Sequence, residues 1–165
     1  MSVDVSIRPA RGSDLEAINE IYNYYVIHST CTFQTEPETI RARESWFAAH
    51  GVDHPIFIAE YGGKMAGWAS LSRFHPRAAY RYTVEDSVYV HPDLLGMGIG
   101  TLLLIKLIEA AETAGHHSIV ALIAADQAGS LRVHEKLDFT VAGTLKQAGM
   151  KFNKWVDVIY MQRMV

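Results

Sequence analysis

Hydrophobic and polar positions follow two different periods along this chain, and each period predicts one kind of element. Segments that alternate in polarity, or that are apolar throughout, are typical of strands. They predict strands over 3–8, 55–61, 64–72, 83–90, 117–124, 139–145 and 155–164. Apolar residues three and four positions apart are typical of helices that bury one face. They predict helices that begin at Ser13, near Pro37, just after Gly100 and at Ser130.

The predicted helix ends follow from capping chemistry. Ser13 and Glu16 match the capping-box pattern, and Ser130 is a residue type that caps the start of a helix. Proline suits a first helical turn, so Pro37 is placed at the start of the second helix. Gly115 is expected to end the third helix.

The relation between two strands predicts the fold class. The 83–90 segment alternates, whereas 117–124 is almost continuously apolar, as in a strand buried on both faces. A helix between them suits a crossover that makes the two strands parallel. The 64–72 strand is expected to return antiparallel to 55–61 after the Gly62-Gly63 turn, and 139–145 and 155–164 are expected to be two closing antiparallel strands. We therefore expect one mixed α/β domain over residues 1–165.

Composition then narrows the function classes. The 165 residues carry a net charge of −3, which gives no basic footprint for nucleic acid. No apolar run approaches the ~20 residues of a membrane span, and the first residues do not resemble a signal peptide. Cys31 is the one cysteine, so no internal disulfide and no zinc-type cysteine cluster is expected. The histidines are scattered, and no metal site is predicted. These features favour a cytoplasmic protein.

A glycine-rich segment carries the clearest chemical signal. Gly96, Gly98 and Gly100 alternate with Met97 and Ile99 between a predicted strand and a predicted helix. Backbone amides in such a loop, together with a helix N-terminus, favour a bound phosphate or pyrophosphate. The spacing fits neither the Walker pattern nor the dinucleotide fingerprint. A simple tight turn is the alternative interpretation.

These segments resemble a known family. Residues 90–100, followed by Thr-Leu-Leu, are similar to motif A of the GNAT N-acetyltransferases. Segments 29–37, 83–90, 130–139 and 143–157 resemble the phosphinothricin/methionine sulfone N-acetyltransferase subfamily. The resemblance implies the GNAT fold, which is a single mixed sheet of about six to seven strands, flanked by helices, with a splay at the acetyl-CoA site. It also implies acetyl-CoA as co-substrate and a homodimer whose partner helps to close the cleft.

The resemblance implies a set of cofactor-binding positions. They are the main chain of Val88, Tyr89 and Val90, the loop and helix start at Gly96, Met97, Gly98, Ile99, Gly100 and Thr101, and the residues Gln127 and Ser130. The chain departs from the family at Leu94 and Leu95, where Gln and Arg are usual, so a charged cofactor contact is missing. Gln127 stands where the family tends to carry Asn.

The resemblance also implies the catalytic residues. Glu85 matches the family's general base, and a carboxylate in a partly buried cleft suits removal of a proton from an ammonium group. A solvated strand glutamate is the alternative. His134 is a candidate acid for the leaving thiolate or a substrate ligand, with a hydrogen-bonded structural histidine as the alternative. Direct attack in a ternary complex leaves Cys31 without a catalytic role.

Substrate recognition is predicted from positions that match or neighbour those of the subfamily. The candidates are Phe33, His75, Pro76, Arg77, Tyr80, Arg81, Glu85, Lys151 and Trp155. Arginine suits planar recognition of a carboxylate, although each could equally be a surface residue. Lys151 and Trp155 could instead belong to a dimer interface.

The sequence therefore predicts acetyl transfer from acetyl-CoA to the α-amine of a small amino acid analogue. Phosphinothricin, methionine sulfone and methionine sulfoximine are the candidate substrates. Two alternatives stay open: an acetyltransferase for another amine, such as a polyamine, an antibiotic or a protein N-terminus, and a non-catalytic acyl-CoA sensor.

Overall fold

One mixed β-sheet organises residues 4–165, which are the residues that the computed structural model describes. Its strands are β1 (Val5–Pro9), β2 (Ile56–Tyr61), β3 (Lys64–Arg73), β4 (Thr83–Val90), β5 (Ser118–Ala124), β6 (Thr140–Lys151) and β7 (Lys154–Met164). The α-helices are α1 (Leu15–His28), α2 (Ile40–Ala48), α3 (Ile99–Thr113) and α4 (Ala128–Lys136). The predicted strand start at Val3 lies outside the described residues. The mixed α/β prediction is confirmed.

The strands are arranged so that the sheet opens at its centre. Their order is β1-β2-β3-β4-β5-β7-β6, and all neighbours are antiparallel except β4 and β5. The parallel ladder runs only from the Thr83–Ser118 pair to the Glu85–Val120 pair. Because β4 continues to Val90 without pairing further with β5, the two strands separate there. This separation is the splay that the family resemblance implies.

Side-chain alternation along β4 assigns its residues to two different cores. Val84 belongs to the larger buried cluster, which includes Leu104 and Leu107 of α3, and Val88 borders the same cluster. Tyr89 borders a second cluster, which α1 forms with Trp68 of β3. Because neighbouring strand residues face opposite sides of a sheet, Glu85 is on the side of α1 and α2.

Two predicted helix caps are wrong. The Ser13–Glu16 capping box does not form, because a 3₁₀ turn over Gly12–Asp14 precedes α1. The Asp14 carboxylate accepts a hydrogen bond from the Arg11 N–H at 2.7 Å. Ser130 does not cap the short helix, since α4 begins two residues earlier and Ser130 lies within it. The second helix begins at Ile40, three residues after Pro37, with the Thr39 hydroxyl accepting from the Ala42 N–H.

The last hairpin is longer than the pattern predicts. β6 continues past Leu145 to Lys151 and pairs with β7. Register shifts between Val141 and Gly143 and between Leu145 and Gly149 interrupt the ladder. Such irregularities disturb the alternation from which strands are predicted, which is why the pattern ends too early. β6 forms one edge of the sheet.

Candidate active site

A cleft of about 1030 Å³ opens where β4 and β5 separate. One side is formed by α1, α2 and the loop between them, and the other by the glycine loop and α4. The cleft is lined by many of the predicted site residues, namely Phe33, Glu85, Val88, Tyr89, Val90, Gly96, Gly98, Ile99, Gly100, Thr101, Gln127, Ser130 and His134. The fold thus brings together the predicted base and the predicted phosphate loop.

The glycine loop has the geometry of an anion site. Gly96 and Gly98 have φ angles of +80° and +81°, which a residue with a Cβ adopts only under strain. Gly98 occupies the N-cap position of α3. No acceptor among residues 4–165 pairs with the backbone amides of 95–101. These amides and the start of a 15-residue helix therefore form a cradle for phosphate oxygens.

Positive charge at the phosphate side comes from α4 rather than from the glycine loop. Leu94 and Leu95 line the cleft and bring no charge. Arg132 and Lys136 also line it, four residues apart on one helix face. Neither forms an ion pair with a described residue. Sequence reasoning missed both, although their spacing on a predicted helix was a visible signal.

Glu85 lies at the vertex of the splay, in the last residue pair that joins β4 to β5. Its side chain is half-buried, and the carboxylate has no hydrogen-bond or ion-pair partner among residues 4–165. Burial, followed by the charge of Asp86, raises the pKa of Glu85 above its ordinary value. A partner-free carboxylate with a raised pKa is suited to accept a proton.

His134 forms a buried pair with Asp86. Its Nε2 lies 3.0 Å from an Asp86 carboxylate oxygen, and its Nδ1 lies 2.7 Å from the Ser130 carbonyl oxygen. Because a carbonyl and a carboxylate both accept hydrogen bonds, this arrangement favours the imidazolium form, in which both ring nitrogens donate. Burial lowers the pKa of His134, but Asp86 and the Ser130 carbonyl outweigh burial and raise it. With both nitrogens engaged, the predicted acid role of His134 has no free N–H in this arrangement.

The opposite end of the cleft is aromatic and contains a buried cation that sequence reasoning missed. Trp68 stacks on Tyr89 at 4.8 Å between ring centroids and meets Trp46 edge-on at 5.4 Å. Arg43 of α2 lies among these rings and lines the cleft. Arg43 and Trp46 are three residues apart on a predicted helix, a spacing that puts a charge on the same face as an apolar ring. A charged residue on the buried face of a helix was the sequence feature that could have identified Arg43.

Five predicted substrate residues do not reach the cleft. They are His75, Pro76, Arg77, Tyr80 and Arg81, all in the β3–β4 connection. This connection packs on itself: Tyr80 lies 5.7 Å from Phe74 and 4.8 Å from His75 between ring centroids. The guanidinium of Arg81 lies over the Tyr82 ring. The connection is therefore a separate folded turn on the surface of the single chain.

Three further predicted residues also lie outside the lining of the cleft. Lys151 is buried, and its ammonium donates hydrogen bonds to the carbonyls of Ser29 and Thr32, at 2.6 and 2.7 Å. Trp155 is 59% exposed on β7, and the Met97 side chain packs against the α3 core. Cys31, in contrast, lines the cleft, where burial raises the pKa of its thiol. A protonated thiol agrees with the expectation that it is not a nucleophile.

No helix within the described part of the chain is long and apolar enough to span a bilayer. In residues 4–165 there is also no group of three or more histidine, cysteine or carboxylate residues that would suit a metal ion.

The cleft combines an amide-lined loop at a helix N-terminus with an unpaired carboxylate, an arrangement that suits an enzyme with a phosphate-bearing co-substrate. A family model described as the Acetyltransferase (GNAT) family matches residues 18–139. The chain belongs to this family, and is an N-acetyltransferase by class.

Relatives with named substrates cover nearly the whole chain. The L-methionine sulfoximine/L-methionine sulfone acetyltransferase of Salmonella typhimurium is 38% identical over 159 residues, which are 96% of this chain and 93% of that protein. The phosphinothricin N-acetyltransferase of Alcaligenes faecalis is 38% identical over 162 residues, covering 96% and 81%. A phosphinothricin acetyltransferase from Sinorhizobium meliloti, solved in complex with AcCoA, has a TM-score of 0.95 at 32% identity, covering 100% and 89%.

Proposed function

We propose that this chain, as a single catalytic domain, transfers the acetyl group of acetyl-CoA to the α-amine of a small amino acid analogue. Phosphinothricin, methionine sulfone and methionine sulfoximine are the candidates, since relatives that cover the chain are named for these or closely related compounds. The observation that carries the proposal is the unpaired carboxylate of Glu85 at the vertex of the splay, in one cleft with the amide cradle.

Each part of the cleft has a task in this reaction. The amides of 95–101 bind the pyrophosphate, with Arg132 and Lys136 adding positive charge. Beyond Glu85, β4 has no ladder with β5, which leaves an unpaired strand edge for the amide groups of the pantetheine arm. The acetyl group is thereby directed toward the vertex, where Glu85 is located.

Glu85 prepares the nucleophile. An α-ammonium group cannot attack a carbonyl carbon, so a proton must leave its nitrogen, and the Glu85 carboxylate accepts it directly or through a water molecule. The amine then forms the C–N bond with the acetyl carbon while the C–S bond breaks. The electron pair of that bond leaves with the sulfur as CoA thiolate, which takes a proton from solvent or from the product nitrogen.

The experiment that tests the proposal measures CoA thiol release with acetyl-CoA and a panel of amines. Phosphinothricin, methionine sulfone and methionine sulfoximine are expected to give the highest kcat/KM, above spermidine, an aminoglycoside and a peptide N-terminus. A higher kcat/KM for one of the other amines would reassign the substrate. Acetyl-CoA binding without thiol release on any amine would support the non-catalytic sensor and overturn the proposal.

We further propose that the protein is a cytoplasmic homodimer that associates through the β6–β7 hairpin. β6 is an edge strand whose residues are almost all exposed, and a long exposed edge favours pairing with another chain. Large apolar side chains on the hairpin are about half exposed or more, namely Val141, Leu145, Met150, Phe152 and Trp155. Such a patch supports an interface. A cytoplasmic location would give the enzyme access to acetyl-CoA.

Light scattering tests the dimer. The 18.4 kDa chain is expected to elute with about twice that mass, and Trp155→Arg is expected to shift it toward the monomer mass, because a charge would be buried in the interface. Tyr61→Arg, at an exposed aromatic residue on β2, is the matched control and should leave the mass unchanged. A wild-type monomer at 100 μM would contradict this proposal.

A further inference from the structure

Arg43 is a buried guanidinium held in an aromatic cage. Its side chain is 3% exposed, and its Nε donates to the Asn19 Oδ1 at 3.1 Å. The guanidinium carbon lies 4.6 Å from the ring centroids of both Tyr22 and Trp46. These contacts fix the position of the side chain. They place aromatic rings next to the guanidinium and use one of its five N–H groups.

The terminal nitrogens of Arg43 lack a protein acceptor. Among residues 4–165, neither nitrogen makes a hydrogen bond, and no carboxylate lies within 4.0 Å of the guanidinium. Because burial disfavours the charged form, the pKa of Arg43 is lowered. A buried charge without an anionic partner is costly to the folded state. An anionic ligand would supply the missing acceptor.

A second donor without an acceptor lies in the same region. The Nε1 of Trp68 is buried and has no hydrogen-bond partner in the described part of the chain, although buried indole N–H groups usually have one. The Trp68 ring lies 5.6 Å from the Arg43 guanidinium carbon, and both residues line the cleft. Two independent side chains therefore lack acceptors at the same end of the cleft.

The distance from this end to Glu85 suits a small bifunctional substrate. Trp68 pairs with Tyr89, and Glu85 pairs with Ser72, four residues along the same two strands. At ~3.3 Å per residue the backbone separation of these two residue pairs is about 13 Å, and Arg43 and Glu85 both line the cleft that joins them. An amine at Glu85 and oxygen atoms at Arg43 can thus belong to one molecule of amino acid size.

We propose that Arg43, assisted by the Trp68 indole N–H, binds an oxygen-bearing acceptor group of the amine substrate and so determines its specificity. The group is either the α-carboxylate or the phosphinyl or sulfonyl head, which share the acceptor chemistry that a guanidinium recognises. This inference rests on the proposed function. It assigns the anion-binding role to Arg43, because the arginines of the β3–β4 connection lie outside the cleft.

Steady-state kinetics of Arg43→Gln and Arg43→Lys test the inference. With phosphinothricin, Arg43→Gln is expected to raise KM by on the order of 10- to 100-fold, since a charge-assisted hydrogen bond is lost. KM for acetyl-CoA should stay within about twofold. Arg43→Lys should recover part of the affinity, because it keeps the charge but not the planar pair of donors. Arg41→Gln, an exposed position on the same helix, is the matched control.

Substrate analogues identify the group that Arg43 binds. If it is the carboxylate, Arg43→Gln should weaken 2-aminobutyrate, which lacks the head, and spare the decarboxylated analogue of phosphinothricin. If Arg43→Gln instead weakens the decarboxylated analogue and spares 2-aminobutyrate, the group that Arg43 binds is the phosphinyl head. Butylamine, which carries neither group, should be affected by less than about twofold in either case. An equal loss for butylamine and phosphinothricin, or no loss for either, would overturn the inference.

Binding without turnover separates this inference from the proposed function. Trp46 and Trp68 flank Arg43, so tryptophan fluorescence is expected to report phosphinothricin binding in the absence of acetyl-CoA. The inference is supported if phosphinothricin quenches the fluorescence of wild type saturably and does not quench that of Arg43→Gln. The melting temperature of Arg43→Lys should stay close to that of wild type. This result supports the anion site even if no amine is acetylated. Full thiol release in wild type with unchanged kinetics in both variants refutes the inference alone.

Discussion

Replacing Glu85 by Gln is expected to lower kcat by about 10²- to 10⁴-fold, the range that a positioned general base contributes. The substitution keeps the size of the side chain and removes only its ability to accept the proton. Substrate contacts that do not involve this proton remain, so KM for acetyl-CoA should change little. Thiol release measured at saturating acetyl-CoA gives both parameters.

The pH dependence supplies a sharper test, since the sign follows from the raised pKa of Glu85. The carboxylate is the active form, so wild-type kcat/KM should fall as the pH decreases through this raised pKa and be level above it. In Glu85→Gln that limb should disappear. The residual activity of the variant should instead keep rising with pH up to the pKa of the substrate amine, because only the free amine then reacts. A wild-type profile that survives unchanged in the variant would remove Glu85 from the base role.

Stability measurements show whether the kinetic effect comes from a damaged fold. Burial raises the pKa of Glu85, which means that its charged form is less stable in the folded state than in the unfolded chain. Glu85→Gln should therefore melt at the same temperature as wild type or slightly higher at pH 7. Glu112→Gln, at an exposed position on α3, is the matched control for both activity and melting.

Local patterns were sufficient to predict the phosphate side of the cleft. The alternation of 83–90, the glycines at 96, 98 and 100 and the apolar face of α3 are adjacent in sequence, and each element has its own rule. The structure places these elements as predicted and separates β4 from β5 just beyond Glu85. The catalytic and binding roles of these residues remain predictions that the experiments above test.

The substrate side could not be predicted in the same way, because it depends on long-range contacts. Arg43 becomes a buried cation only when α2 packs beside α1 and the β3 tryptophan, and no local rule reports that packing. Arg77 and Arg81 had the right chemistry, but their connection folds on itself. The two ring nitrogens of His134 have partners at Ser130 and Asp86, and the second of these is 48 residues away.

Replacing Asp86 by Ala is expected to cost about 3–5 kcal/mol of folding free energy, since it leaves the His134 imidazolium buried without its counterion. Both side chains of this pair are almost fully buried, at 4% and 5% exposure. The change in free energy follows from urea unfolding at pH 6. Asp93→Ala is the matched control, because Asp93 lies 4.0 Å from His91 in an exposed pair, and it should cost less than about 1 kcal/mol.

The sign of the pH dependence separates this ion pair from a packing defect. The pKa of His134 is raised in the folded state, so the pair contributes fully below the unfolded value of about 6.5 and is lost as the pH rises through the folded pKa. The difference between wild type and Asp86→Asn, which keeps the shape, should therefore be largest near pH 6 and shrink in alkaline solution. His134→Gln should likewise lower stability while the folded variant keeps kcat within about tenfold. A larger loss of kcat at unchanged stability would instead make His134 the acid that protonates the thiolate.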